Sequence, residues 1–331
     1  MIHRKVMRIG AMLAAMVLLC VSTGCAKDMN RIEKTSYREW DEAYKLSNGS
    51  AEVIVVPAVG RIMSYSVTGG ANVLWQDPNL GRKQAEAKPG EWVNMGGDKV
   101  WPWPQKAWAQ ILGHEWPPPP GVNLPQTAEV VDQSKLRLTS PLIDEFGSRI
   151  VREISLAPTG SKVTITTKFN QVARDSKWPY AVWTITQISK PEYVLAKTFG
   201  GGDYKDLWET PWPQVDKLGN DYLVAHPKGE KSSKIGIDAN LLAAVRGGTM
   251  FVERIENFEP IKTGDRAQLY YNPDDAEALK KGTTGYLELE LTSAQKKPAK
   301  GEAIEMTVTW ELIPVPVGTT PQDAVKLVSA P

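Results

Sequence analysis

Five of the chain's twelve tryptophans, Trp92, Trp101, Trp103, Trp108 and Trp116, fall within residues 91–121, EWVNMGGDKVWPWPQKAWAQILGHEWPPPPG. An indole is a broad apolar plate with one polar N–H, and a sugar ring presents an apolar C–H face that packs on such a plate. The sugar's hydroxyls then need amide and charged partners. Asn94, Asp98, Lys99, Gln105 and His114 are interleaved with the tryptophans and are of the right types. Pro102, Pro104 and the run Pro117 to Pro120 stiffen the segment, and Gly96-Gly97 supplies a tight turn. A long loop with rigid aromatic content of its own is usually functional rather than a connector. The expectation is that Trp101, Trp108 and Trp116 stack on sugar rings while Lys99 and Gln105 bind hydroxyls. The competing expectation is that the indoles fold down as internal packing.

Other chemistry-bearing residues are sparser. The carboxylate pairs Glu253/Glu256 and Glu288/Glu290 keep glycoside hydrolysis open, although strand glutamates ordinarily face water. Glu288 and Glu290 are two apart in an alternating run, so they share a strand face. His114 and His226 are the two histidines beyond residue 24. The cluster Gly200-Gly201-Gly202-Asp203 has no following Lys-Ser/Thr and reads as a turn. H-E-x-x-H, an EF-hand loop and G-x-S-x-G are all missing from the sequence. No metal and no cofactor are therefore expected.

The amino terminus sets the compartment. Arg4, Lys5 and Arg8 precede an apolar run from Ala11 to Val21, then Ser22-Thr23-Gly24-Cys25. This is the layout of a secretory signal peptide over residues 1–24, with an apolar run short for a membrane span. The exit resembles the lipobox of bacterial lipoproteins, with Ser22 where Leu is usual; that resemblance implies lipidation of Cys25 and, with Ala26 following, the outer membrane. Removing three of the 39 basic residues with the leader leaves 36 against 38 acidic ones, a formal charge of about −2. Such a balance gives no reason to expect a nucleic-acid partner. With Cys25 as the single cysteine left, the exported domain must rest on its hydrophobic core rather than on disulfides.

The elements that must position these residues read as strands. Glu52–Val56, Arg61–Val67, Asn72–Trp75, Arg149–Leu156, Lys162–Phe169, Tyr286–Leu291 and Ile304–Leu312 show period-two or continuous apolar character between turn residues. Asp275–Lys281 has room for two helical turns, and Leu241–Arg246 reads as helix or strand. The pattern predicts an all-β sandwich. Residues 25–44 read as a polar tether, 45–315 as one domain, and 316–331 as a C-terminal tail.

The stretch Glu52 to Pro78, EVIVVPAVGRIMSYSVTGGANVLWQDP, resembles the opening of galactose mutarotase-like proteins. Gly96 to Pro102 with Gln105, Trp108 and Trp116-Pro117-Pro118, then Trp183 to Gln187 and Gly285 to Leu291, resembles in order an uncharacterised secreted family of that fold. The resemblance implies a large antiparallel supersandwich whose concave sheet binds sugars. In aldose 1-epimerases of this fold a late-strand glutamate takes the proton of the anomeric hydroxyl, and a mid-chain histidine protonates the ring oxygen. Glu288 or Glu290 matches the base; Glu288 is preferred. The strand Val182–Gln187 carries no imidazole, so Gln187 and Trp183 are expected to bind sugar and His114 or Lys99 to supply the acid.

The leading expectation is a cell-envelope, lipid-anchored carbohydrate-binding protein for mono- or oligosaccharides, with epimerase chemistry as its catalytic form. A second is a non-catalytic envelope module whose tryptophan loop contacts another protein. A third is an accessory domain of a polysaccharide lyase or hydrolase.

Overall fold

Alternation of apolar and polar side chains sets the architecture. The segments SRIVREISL and VTITTKFNQ each bury every second residue, the pattern of strands with one face on a core. The computed structural model describes residues 31–78, 92–199 and 201–329. The expected signal peptide and the expected lipidation site Cys25 lie outside them.

Two antiparallel sheets of ten strands each form the molecule. The first runs β1 (Arg31–Tyr37), β2 (Trp40–Ser47), β3 (Ala51–Val56), β4 (Arg61–Val67), β5 (Asp98–Trp103), β10 (Ala181–Ser189), β19 (Tyr286–Thr292), β18 (Ala267–Asn272), β15 (Ser233–Ile237) and β12 (Tyr204–Asp206). The second runs β13 (Val215–Leu218), β14 (Tyr222–Ala225), β11 (Tyr193–Thr198), β16 (Ala239–Arg246), β17 (Thr249–Ile255), β20 (Ala303–Pro314), β9 (Val163–Gln171), β8 (Ser148–Leu156), β7 (Lys135–Thr139) and β6 (Thr127–Val130). Short helices α1 (Trp108–Leu112), α2 (Ala276–Lys280) and α3 (Pro321–Val328) are also present. No helix of the described residues is long and apolar enough to cross a membrane.

The core fills the space between the sheets. Leu287, Leu289 and Leu291 of the first sheet join one cluster with Ile165, Phe169, Phe251 and Trp310 of the second. A polar layer crosses that core. Arg152 pairs with Asp98, and the Thr186 hydroxyl bonds the carboxylates of Asp98 at 3.2 Å and Glu253 at 2.9 Å. Burial pushes the Glu253 carboxyl well above the usual carboxylate range.

The structure departs from the expected boundaries at both ends. Residues 31–44 are not a tether, because β1 and β2 pair along Arg31–Tyr37 and extend the first sheet. Their polar alternation is that of an edge strand, half-exposed on both faces, which composition alone does not separate from a linker. The C-terminal segment is not a free tail either. Thr320 caps α3, which lays Ala324 and Val328 on Tyr193, Leu195, Tyr222 and Val245, and the Tyr193 hydroxyl donates to Thr319 O at 2.8 Å. Asn72–Trp75 is not a strand but a single bridge at Leu74, because the Asn72 side chain accepts from Tyr65 N and Leu74 N and turns the chain.

Candidate functional site

Register brings the chemistry together. Across β5, β10, β19 and β18, Lys99 faces Ile185, Gln187 faces Glu288, Ile185 faces Glu290, and Glu288 faces Tyr270. Lys234 of β15 then faces Tyr270. Because side chains alternate, Lys99, Trp101, Trp183, Gln187, Glu288, Glu290, Tyr270 and Lys234 share the sheet face turned away from the second sheet. Their neighbours Asp98 and Thr186 point inward to the polar layer. The start of β5 depends on Gly96 and Gly97, whose φ values are +83° and +72°. A Cβ on Gly96 would lie 2.2 Å from Trp75 O and one on Gly97 2.4 Å from Ile62 O, so only glycine fits this turn.

Two buried ion pairs form the centre of that face. The Lys99 ammonium donates to Glu288 Oε1 at 2.8 Å, and the Gln187 amide donates to the same oxygen at 2.8 Å. Lys234 lies 2.9 Å from both oxygens of Glu290, and the Trp183 indole donates to Glu290 Oε2 at 2.8 Å. Both ammonium groups sit 5.0 Å from an indole centroid, Lys99 over Trp101 and Lys234 over Trp183, close enough for cation–π attraction. Burial lowers the affinity of Lys99 for its proton, and Glu288 opposes this. Burial raises the Glu290 carboxyl, with Lys234 opposing.

The two glutamates differ in what they have left to offer. Glu290 is fully buried; Trp183 and Lys234 both donate to its Oε2, and its Oε1, though 2.9 Å from the Lys234 ammonium, has no hydrogen-bond partner among the described residues. Glu288 keeps 12 % of its side chain exposed, and both of its donors converge on Oε1. Its second oxygen accepts no hydrogen bond among the described residues, which leaves it able to accept one from a hydroxyl. Beside it, the Gln187 carbonyl oxygen is buried without a partner among the described residues. Arg61 adds a third cation. It donates to Gly96 O at 2.8 Å and stands 5.5 Å from the Trp92 ring, and burial lowers its pKa to about 10.

Above the pairs the indoles form an edge-to-face layer with Trp101 at its centre. Trp92 lies 5.1 Å, Trp183 5.6 Å, Trp108 5.7 Å and Trp116 5.8 Å from the Trp101 centroid. Trp116 is 46 % exposed, while Trp108 is fully buried with its N–H bonded to Pro102 O.

With ten strands in each sheet and sequential pairing of β1 to β5, the architecture can be matched to known structures. The fold is galactose mutarotase-like. A "putative mutarotase" from Salmonella typhimurium superposes with a TM-score of 0.57 at 12% identity over 82% of this chain and 90% of that one. A "putative aldose 1-epimerase" from Escherichia coli K12 gives 0.54 at 13% identity over 82% and 99%. A galactose mutarotase-like protein from Lactobacillus casei gives 0.53 at 9% identity over 82% and 100%. No protein-family model matches the chain, and no curated protein matches it in sequence.

Within this mutarotase-like fold the residues singled out from the sequence separate into three groups. Lys99, Gln187 and Glu288 meet in one bonded cluster, with Trp101 and Trp183 against it. Trp116 lies at the exposed edge of the indole layer, while Gln105 is half-buried in the turn before α1 and makes no hydrogen bond to the cluster among the described residues. Trp108, Trp183 and Trp101 are 0, 2 and 5 % exposed and pack in the core cluster, so none presents an open plate to a sugar ring. This corrects the expectation for all three and leaves Trp116 as the exposed indole of the segment. His114 is exposed in the turn after α1 and makes no hydrogen bond or ion pair among the described residues, so nothing joins it to Glu288. His226 is 3.3 Å from Asp216 in the β13–β14 region of the second sheet. Sequence reasoning missed Arg61, Lys234, Tyr270 and Tyr286. Their signal was present as polar residues alternating with apolar ones in RIMSYSV, SKIGI, AQLYYN and YLELELT, but the cross-strand pairing that gives them meaning is non-local. Among the described residues no group of three or more His, Cys, Asp or Glu is placed to hold a metal.

Proposed function

We propose that this chain is a carbohydrate-binding protein of the cell envelope, with a sugar seated over Glu288 on the outward face of the first sheet. The observation that carries this reading is the Glu288 carboxylate, fixed through Oε1 by Lys99 and Gln187 and open at its other oxygen. A pre-positioned acceptor at the rim of an indole layer suits a ligand with hydroxyls on its edge and C–H groups on its face. Lipidation of Cys25 would hold the domain at the outer membrane. Calorimetric titration of the full chain against a panel of neutral, amino and acidic sugars tests the binding: saturable heat that Glu288→Gln abolishes supports it, and a flat response across the panel refutes it. Labelled palmitate incorporated by the chain but not by Cys25→Ser tests the anchor.

A second reading is an aldose 1-epimerase, and Lys99 is the observation that favours it. Glu288 Oε2 would take the proton of the anomeric hydroxyl while the Lys99 ammonium gives one to the ring oxygen. The bond between C1 and the ring oxygen then breaks, leaving an aldehyde that can close from either face. Burial makes the ammonium a stronger acid, the direction this step needs. Magnetisation exchange between sugar anomers, faster with the protein and lost in Lys99→Met, is the expected result; no acceleration across the panel leaves binding alone.

A further inference from the structure

Two rows of aromatic rings flank Glu288. On β19, Tyr286 stands two residues before it, and Thr292, four residues after it, faces Trp183, which faces Trp101. The first row therefore passes beside Glu288, since Tyr270 is the register partner of Glu288, and the second stands toward the other end of β19. The first row steps from Trp75 to Tyr286 to Tyr270 to Trp208, with centroids 4.6, 6.1 and 5.0 Å apart. The second steps from Trp183 to Trp101 to Trp92 to Trp116, at 5.6, 5.1 and 5.3 Å. Each row begins on a buried indole and ends on an exposed one: Trp208 is 49% and Trp116 46% exposed.

The exposed ends are far apart across the sheet. Trp116 packs on Trp101 of β5 and Trp208 on Tyr270 of β18, and these strands are three sheet positions, about 14 Å, apart. Trp208 lies in the exposed turn after β12, between Asp206 and Glu209 in sequence. An exposed indole with carboxylates and a hydroxyl in the same turn has the composition of a sugar subsite. A protein partner calls for a contiguous apolar patch, whereas here charged groups interrupt the plates.

We propose that the ligand is an oligosaccharide, a trisaccharide or longer, lying across the strands with an inner unit over Glu288 and outer units on Trp116 and Trp208. This rests on the sugar-binding reading above and adds chain length to it. The test is calorimetry of the full chain with gluco-, manno-, N-acetylglucosamine and uronate series from mono- to hexasaccharide. In the series that binds, affinity should rise about tenfold or more from mono- to tetrasaccharide. Trp208→Ala should lower tetrasaccharide affinity about tenfold more than monosaccharide affinity, and Trp208→Phe should restore most of it. Affinity independent of length, or a tetrasaccharide indifferent to Trp208→Ala, overturns the inference and leaves the Glu288 site standing. Absence of binding by every series overturns both.

Discussion

The two outward faces of the sandwich are built from the same pleated alternation and have opposite fates. On the second sheet the outward residues of β11, β14, β16 and β17 include Tyr193, Leu195, Val224, Leu241, Ala243, Val245 and Met250, an apolar surface that joins one cluster with the chain's own α3. Strands β7 to β9 and β20 instead turn Arg137, Glu153, Lys168 and Glu305 to water. On the first sheet they include Lys99, Gln187, Glu288, Glu290, Tyr270 and Lys234, and each central charge is paired within the sheet. An apolar face left open would associate with something, so the chain closes it. Burying ions costs desolvation that pairing only offsets, so two adjacent ion pairs are poor evidence of a stability device and better evidence of a prepared site. One face is closed by the chain's own helix, and the other carries the paired charges on which the proposed site rests.

The largest effect should come from breaking the pair whose carboxylate is fully buried. Glu290→Gln leaves the Lys234 ammonium uncompensated against the Trp183 ring, and breaking such a buried pair costs about 3–5 kcal/mol. Urea unfolding followed by tryptophan fluorescence should show that loss. Glu288→Gln should lose less, since Glu288 still reaches water and Lys99 is already inclined to give up its proton. Equal losses would erase the distinction between the two glutamates. Next comes the covered face. Ending the chain at Val317 removes α3 and uncovers Tyr193 and Tyr222 beside the lost Val328, for about 3 kcal/mol. Sugar affinity measured well below the unfolding transition should not change. If it falls with the helix, the faces are not independent.

How much of this was legible in the sequence follows from which interactions are local. Period two in the runs around Ile150–Leu156, Val163–Phe169 and Leu287–Leu291 is local, and the strands lie where it pointed. Lys99, Gln187 and Glu288 were singled out by residue type and motif order, and the sheet brings them into contact. Trp108 and Trp116 could not be told apart, because spacing inside an irregular segment does not fix which ring points inward. Lys234 was not singled out, because its partner Glu290 is 56 residues away. The preference for Glu288 over Glu290 needed geometry, since residues two apart on a strand share a face and differ only in their neighbours.

The site itself can be sharpened with a single atom. Glu288→Gln keeps the shape of the side chain, replaces one oxygen by NH2 and removes the charge. Binding of whichever sugar saturates the wild type should weaken about tenfold, or about 1.4 kcal/mol, by calorimetry. Gln187→Leu removes one of the two donors that fix Oε1 and leaves Lys99, so a smaller loss is expected, about threefold on the same energy scale. A loss in Gln187→Leu as large as in Glu288→Gln would mean that Gln187 touches the sugar directly through its unpartnered oxygen.

The effect that is absent at acid pH and grows from there concerns the layer between the faces. Glu253 lies beneath Thr186, the strand neighbour of Gln187, and its carboxyl is held well above the usual range by burial. A folded-state pKa above the unfolded value means the native state binds the extra proton. This contribution is fully present below the unfolded carboxylate pKa and is lost as pH rises toward the folded one. Glu253→Gln, which imitates the protonated acid, should remove that slope. Thermal melts of both proteins should therefore diverge as pH rises above about 5, with the variant gaining up to about 1.4 kcal/mol per pH unit until the wild-type group ionises. Parallel melts across that window would show that the layer carries the charge at neutral pH, and that Thr186 rests on a carboxylate rather than on an acid.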